Sequence, residues 1–341
     1  MFGFFKKREA ATPAPANSDA DASPKVPRAA DSPLGELWID QNNALDQADR
    51  LGLDALAAAD LRQFISQGYL VIPGAISEAL ADQIVADAHR VRSNPGDYVV
   101  RDKGAYINPA HIEEFHLGHR IIDLYAVSAA AREAVFTPRA SRLLNLIFGE
   151  PALAIQSLYF EYGSQQAVHQ DTAYVVSRKP LALAAIWIAL EDVQPGTGEL
   201  CYYPGGHRLP HDLFGGTRKH WIQSQDGVEE HQRYLKSLRE RSEAAGLTLE
   251  TFLPKKGDVL LWHADLPHGG TRISTLHTRR SYVLHFAPKS VKANYMSRIG
   301  ADYHEHLMPT GDGFSCRHYA LAKMRPDGRA PILFDGGISR R

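Results

Sequence analysis

The chain has 341 residues, 44% of them hydrophobic and 23% charged, and 38 Lys and Arg stand against 39 Asp and Glu for a net charge of −1. That balance lacks both the basic field of a nucleic-acid binder and the acidic excess of a disordered polyelectrolyte. Two cysteines, Cys201 and Cys316, are too few for a disulfide framework, and no apolar run approaches the roughly 18 residues of a membrane span, so a cytoplasmic protein with no integral membrane span and no nucleic-acid partner is expected.

Residues 1–33 are rich in Ala, Pro, Ser and Asp without hydrophobic periodicity, and read as a disordered tail ahead of a single domain over 34–341. Leu53, Leu56, Leu61, Phe64 and Ile65 recur at helical spacing until Gly68, after which residues 69–73 read as a short strand. Ser77 is an N-cap for a second helix carrying Leu80 and Ile84. The stretch 119–149 reads as helical again, with Pro138 opening its second helix. Beyond Gly149 the texture changes. Runs at 153–162, 181–193, 258–263 and 280–287 are short, apolar and rich in β-branched and aromatic residues, with Gly, Pro and Asp between them. Residues 226–246 are charged with a thin apolar stripe (Tyr234, Leu235, Leu238) and read as a helical insertion. The core is expected over about 55–290. Helices first and strands after, with one helical excursion, predict an α+β domain with a mainly β core built as a barrel or sandwich.

Three features carry chemistry. In the segment AVHQDT over 167–172, His169 and Asp171 are two apart, so on a strand they share a face about 7 Å apart and can converge on one cation. In GDVLLWHADLPHGG over 257–270, an apolar strand leads to a turn holding His263 and His268. Either could complete two nitrogens and one carboxylate on one face of a metal, a set that suits iron(II) and leaves coordination positions open. Third, Arg279 and Arg280 open the last apolar run. A guanidinium on a buried strand is costly unless paired, and its fork matches a carboxylate. Alternation sends the two to opposite faces, with Ser281, Val283 and His285 sharing the face of Arg279.

The order HxD, GTGxL…PGGHR, GDVLLWHxxxxHGG, then Arg on the next strand resembles the phytanoyl-CoA dioxygenase-like family across roughly residues 55–290. The resemblance implies a double-stranded β-helix (jelly roll, cupin-like barrel) with flanking N-terminal helices. It implies Fe(II) held by His169, Asp171 and His268, and 2-oxoglutarate as co-substrate paired with Arg279, eleven positions past His268. With O2, such an enzyme converts 2-oxoglutarate to succinate and CO2 and hydroxylates an unactivated C–H of a small-molecule or acyl/lipid-type substrate. Relatives that halogenate resemble this motif with Gly or Ala at the Asp position, so Asp171 favours hydroxylation. By the same resemblance, Gln156 on the strand entering the site would hydrogen-bond the co-substrate or orient the metal's ligands, unless it simply packs in the strand. Thr172 and Thr271 are also candidates for contact with the co-substrate, and Trp187 and Arg208 are candidates for substrate. Arg178, Lys179, Arg208, Arg218 and Lys219 fall near expected barrel-mouth loops, where they would attract an anionic substrate or simply face solvent. The competing classes are a non-catalytic metal-binding jelly roll and a non-hydroxylating iron enzyme such as a halogenase. The first leaves Arg279 without a use.

Overall fold

The computed structural model describes residues 26, 32–93, 100–102, 105–107, 117, 119–291, 293–294 and 307–316. The tail expected over 1–33 falls, apart from residues 26, 32 and 33, outside the described residues. The N-terminal half holds α1 (Ala44–Asp49), α2 (Ala55–Gln67), β1 (Tyr69–Ile72), α3 (Glu78–Ser93), β2 (Val100–Asp102), β3 (Ala105–Ile107), β4 (Arg120–Ile122), α4 (Ala129–Glu133) and α5 (Pro138–Phe148). The strand-rich half follows with β5 (Ala152–Phe160), β6 (Val176–Ser177), β7 (Ala184–Ala189), β8 (Leu200–Tyr202), α6 (Gln223–Ala244), β9 (Glu250–Phe252), β10 (Val259–His263), β11 (His268–Gly270) and β12 (Ser281–Pro288). Short strands β13 (Ala293–Asn294), β14 (Leu307–Thr310) and β15 (Gly313–Cys316) complete it.

The large sheet has the order β1-β10-β7-β12-β5-β4-β2-β3, and β15 adds to β5 in parallel with β14 beside it. The small sheet is β11-β8-β9, and His169 extends it through a bridge to His268. Period-two alternation gives the large sheet two apolar faces. Ile186, Leu261, Leu284 and Phe286 point outward into one core with Leu61 and Phe64 of α2, Ile84 of α3 and Leu143 of α5. Ala185, Trp187, Leu260, Trp262 and Val283 point inward to meet Leu200 and Tyr202 of β8 and Phe252 of β9. Two sheets closed over this inner core, with helices on the outer face of one, form the jelly roll of the α+β class.

Local chemistry sets the helix ends. Asp54 caps α2 by accepting from the Ala57 N–H at 3.0 Å, and Gly68 ends it in the left-handed region at φ 76°. Buried Leu61, Phe64 and Ile65 contribute about 1.5–3 kcal/mol each by burial, so docking on the sheet rather than propensity holds this helix. Pro138 opens α5 as expected.

The helical reading of 119–149 is corrected at its start. Residues 120–122 form β4, paired with β5 through Ile121↔Tyr159, and a 3-10 turn follows at Leu124–Ala126. Three residues are too few to separate the two periods, and the open edge of β5 decides. The insertion helix is α6, broken at Gly227 (φ 75°) and seated by buried Tyr234 and Leu238 against Ala173 and Phe214. Among the described residues, no helix is long and apolar enough to cross a membrane.

Candidate active site

Two backbone devices deliver the candidate set, one for the histidines and one for the carboxylate. The His169 N–H donates to the His268 carbonyl at 2.8 Å and the His268 N–H returns the bond to the His169 carbonyl at 2.9 Å, so the edge of the small sheet holds both histidines side by side. Asp171 is not on that strand, which corrects the single-strand reading of the HxD segment. Gln170 is still extended, but Asp171 opens a 3-10 turn (Asp171–Ala173), and its N–H is tied at 3.0 Å to the Ala264 carbonyl just past β10. The turn, rather than strand alternation, swings the carboxylate toward the imidazoles.

The result is convergence. One ligand atom from each of His169, Asp171 and His268 lies within 4.8 Å of the others, and all three residues are buried. Asp171 Oδ1 is 3.9 Å from His169 Nε2 and 3.6 Å from His268 Nε2. The tautomers follow from the partners, because a backbone carbonyl can only accept. His169 Nδ1 lies 2.8 Å from the Ala167 carbonyl and His268 Nδ1 lies 2.8 Å from the Leu266 carbonyl, so both Nδ1 atoms carry the proton. The Nε2 lone pairs are left free on the side of Asp171, the arrangement a metal-ligating imidazole needs. Burial, reinforced by the charge of His268, pushes the His169 imidazole down to about 3, so it stays neutral at ordinary pH. For Asp171 burial works in the opposite sense, but His268 and His285 outweigh it and hold the carboxyl well below its usual range.

Two residues without an expected role steady Asp171. Trp262 Nε1 donates to Asp171 Oδ2 at 2.8 Å, and His285 Nε2 lies 3.6 Å from the same oxygen. Oδ2 is thereby occupied and Oδ1 faces the histidines. Alternation along β10 and β12 places both side chains inside the barrel, which is the signal that would find them. The same alternation settles His263. It points to the outer, helix-facing side, with Nε2 3.0 Å from Asp40 and its ring 5.2 Å from that of His207.

Arg279 and Arg280 diverge as opposite strand faces require. Arg280 binds Glu161 at 2.8 Å and lies 3.6 Å from Glu191. Arg279 is buried to 3% exposure, donates to the Gly198 carbonyl at 2.8 Å, and sits over the Trp187 ring at 5.5 Å. Among the described residues it has no carboxylate within ion-pair distance, and its Nε has no partner. Burial, followed by the charge of Arg120, lowers it to about 10. Arg120 is a cation the sequence pattern gave no reason to single out; its guanidinium lies 4.9 Å from the Phe160 ring centroid, and its charge also lowers His169.

The other candidates separate. Gln156 is half-buried and stands opposite His285 in the β5–β12 register, on the inner face. Trp187 lies in the inner core, with its Nε1 unpartnered. Thr172 donates to Asp265 at 2.7 Å and Thr271 donates to Glu199, so both hydroxyls are committed to protein carboxylates. Arg208 is placed differently from its expected substrate role. It donates to the carbonyls of Ile65 (2.9 Å) and Ile39 (3.3 Å), fastening the last turn of α2 with a cation where the helix dipole favours one. Of the other basic residues named above, Arg218 pairs with Asp226 at 2.6 Å and Lys219 is buried, while Arg178 and Lys179 are exposed.

A jelly-roll barrel with two imidazoles and one carboxylate converging inside it defines a class, the barrels built around a three-residue candidate metal centre. Residues 64–281 match the family model described as Phytanoyl-CoA dioxygenase (PhyH), and the chain belongs to that family. It is 22% identical over 214 residues to Phytanoyl-CoA dioxygenase domain-containing protein 1 of Mus musculus, covering 61% of this chain and 69% of that protein. Among solved structures it is similar to the non-heme alpha ketoglutarate dependent carbocyclase SnoK from nogalamycin biosynthesis, with TM-score 0.55 and 19% identity over 74% of this chain and 90% of that one. EctD from S. alaskensis with bound Fe matches with TM-score 0.53 and 19% identity over 81% of this chain and 89% of that one. At such identity the structures speak for the fold.

Proposed function

We propose that this protein is an iron(II)- and 2-oxoglutarate-dependent oxygenase that hydroxylates an unactivated C–H bond of a small-molecule substrate. The observation that carries the reading is the coexistence of a converging His/Asp/His set with a buried guanidinium that, among the described residues, lacks a carboxylate within ion-pair distance. A charge such as Arg279 is expensive to bury unpaired, and a dicarboxylate co-substrate supplies the missing partner. His169 Nε2, His268 Nε2 and Asp171 Oδ1 would hold the metal on one side, leaving the remaining positions to co-substrate and oxygen. Trp262 and His285 keep Asp171 turned so that one oxygen serves the metal.

Arg279 would take the distal carboxylate of 2-oxoglutarate, with Trp187 beneath its guanidinium and Gln156 on the same inner face. The bound metal, with 2-oxoglutarate and dioxygen, supplies the oxidising chemistry: 2-oxoglutarate leaves as succinate and CO2, and one oxygen atom goes to substrate. The carboxylate at Asp171 fills the position that halogenating relatives leave open, which favours hydroxylation.

The test is anaerobic reconstitution with Fe(II), addition of 2-oxoglutarate, and measurement of the visible metal-to-ligand charge-transfer band. Air is then admitted and succinate is quantified with and without a panel of acyl and small-molecule substrates. The expected outcome is a band that forms only with both components, and succinate that rises with one substrate class. Protein that neither forms the band nor yields succinate overturns the proposal.

A further inference from the structure

Behind the candidate centre lies a second polar cluster that takes no part in the proposed chemistry. Lys219, from the loop ahead of α6, is 2% exposed, and its Nζ sits 2.7 Å from Asp265 Oδ2, with both side chains 1% exposed. Asp265 occupies the turn between β10 and β11, three residues before His268. Its other carboxylate oxygen accepts from Thr172 Oγ1 at 2.7 Å, and its backbone carbonyl accepts from Gln170 Nε2 at 2.8 Å. Gln170 Oε1 in turn faces Lys219 Nζ at 3.3 Å. Both neighbours of Asp171 in the chain are therefore fastened to the residue that leads into His268. His211 Nδ1 lies 3.3 Å from Asp265 Oδ2, and Tyr234 of α6 braces Gln170 through its N–H at 3.2 Å.

We infer that Lys219 and Asp265 are positioning residues, a buried ion-pair clamp that fixes the spacing of the His169–Asp171 turn against the His268 turn and so sets the barrel's metal affinity. The inference rests on the metal-centre reading above. Its physical ground is that the reciprocal backbone pair registers only the two histidines, whereas Asp171 is tied to the His268 segment through one backbone bond, its N–H to the Ala264 carbonyl, and the side-chain network supplies the rest of its registration. A buried ion pair is a poor source of net stability compared with an apolar replacement, yet it fixes geometry because neither charge tolerates separation. Residues that orient ligands from outside the coordination sphere typically change metal affinity by about 10- to 100-fold when altered.

The test compares wild type, Thr172→Val, and the double variant Lys219→Met/Asp265→Leu, using Co(II) as the probe in anaerobic titrations, with thermal unfolding of the metal-free proteins alongside. The double variant removes both charges together, so no orphaned ion is left to unfold the chain. Thr172→Val cuts a single tether and leaves the ion pair in place. The expected result is Co(II) affinity about 10- to 100-fold weaker in the double variant, a smaller loss in Thr172→Val, and a changed Co(II) d–d spectrum in both, at near wild-type unfolding temperature. Variants that fold and bind Co(II) with wild-type affinity and spectrum overturn the clamp while leaving the metal centre standing. Wild type that takes up no Co(II), or takes it up equally after His268→Ala, overturns the metal centre itself.

Discussion

His263 and His268 lie five positions apart, and both are buried, yet they face different compartments. His268 Nε2 opens toward Asp171 Oδ1, whereas His263 Nε2 rests 3.0 Å from Asp40 on the helix side. Replacing His268 with Ala should abolish metal binding while leaving the metal-free fold near wild-type stability. His263→Ala should keep metal binding and instead lower stability by about 3 kcal/mol, because it leaves the Asp40 carboxylate enclosed without its partner. Metal titration and urea unfolding of the two variants decide the matter, and the reverse pattern would mean the assignment is wrong. Arg279→Gln should keep the metal site and weaken 2-oxoglutarate by about 30-fold or more, the scale for losing a buried charge-paired contact of about 2–5 kcal/mol. Equal co-substrate affinity in that variant would remove Arg279 from the site. Strand alternation and short spacings, properties of the linear chain, made these residues candidates, and the family resemblance singled out His268 and Arg279 among them. Lys219 was not legible: it stands among charged residues like a surface lysine, and its partner Asp265 is 46 positions away, so only the folded chain shows that it is buried.

At the scale of elements, the long strands could be read from their apolar runs, since β5, β7, β10 and β12 are central and covered on both faces. The short pieces could not. The turn that aims Asp171 and the short strand β4 each involve about one turn's worth of chain, too short for a period to show, and tertiary bonds decide them. The junction of α2 and β1 shows how narrowly such a connection is specified. Gly68 adopts φ 76°, and a Cβ built there would lie 2.5 Å from His207 Nδ1, a ring held by its bond to the Ile65 carbonyl. Gly68→Ala therefore combines left-handed strain of about 1–2 kcal/mol with a collision against an enclosed ring. Its urea midpoint should fall by more than that strain alone explains, with the metal site untouched. A loss of only a few tenths of a kcal/mol would show that the ring moves aside freely. α6 could be read as a helix but not as a brace, because the contact of Tyr234 with Gln170 joins segments 64 residues apart.

Across the whole molecule the large sheet separates two environments, the inner one holding the candidate centre and the outer one packed with helices. Acid should test the outer one through His207. Burial, aided by the nearby His263, lowers this imidazole to about 3, and its Nδ1 has no partner. In the unfolded chain the same group takes a proton near 6.5. Between those values the unfolded state binds the extra proton, so the contribution of His207 to stability is complete above about 6.5 and is lost as pH falls toward 3. The slope approaches about 1 kcal/mol per pH unit for one proton. His211 runs the other way: its bond to Asp265 raises it, so its contribution is present in acid and fades as pH rises. Metal-free protein unfolded in urea at pH 7.5, 6.5 and 5.5 should lose stability stepwise on acidification. His207→Gln, though less stable at pH 7.5, should show a shallower loss over the same range. Parallel lines for the two proteins would mean that His207 is protonated alike in both states, and that the acid sensitivity of the fold originates in other groups.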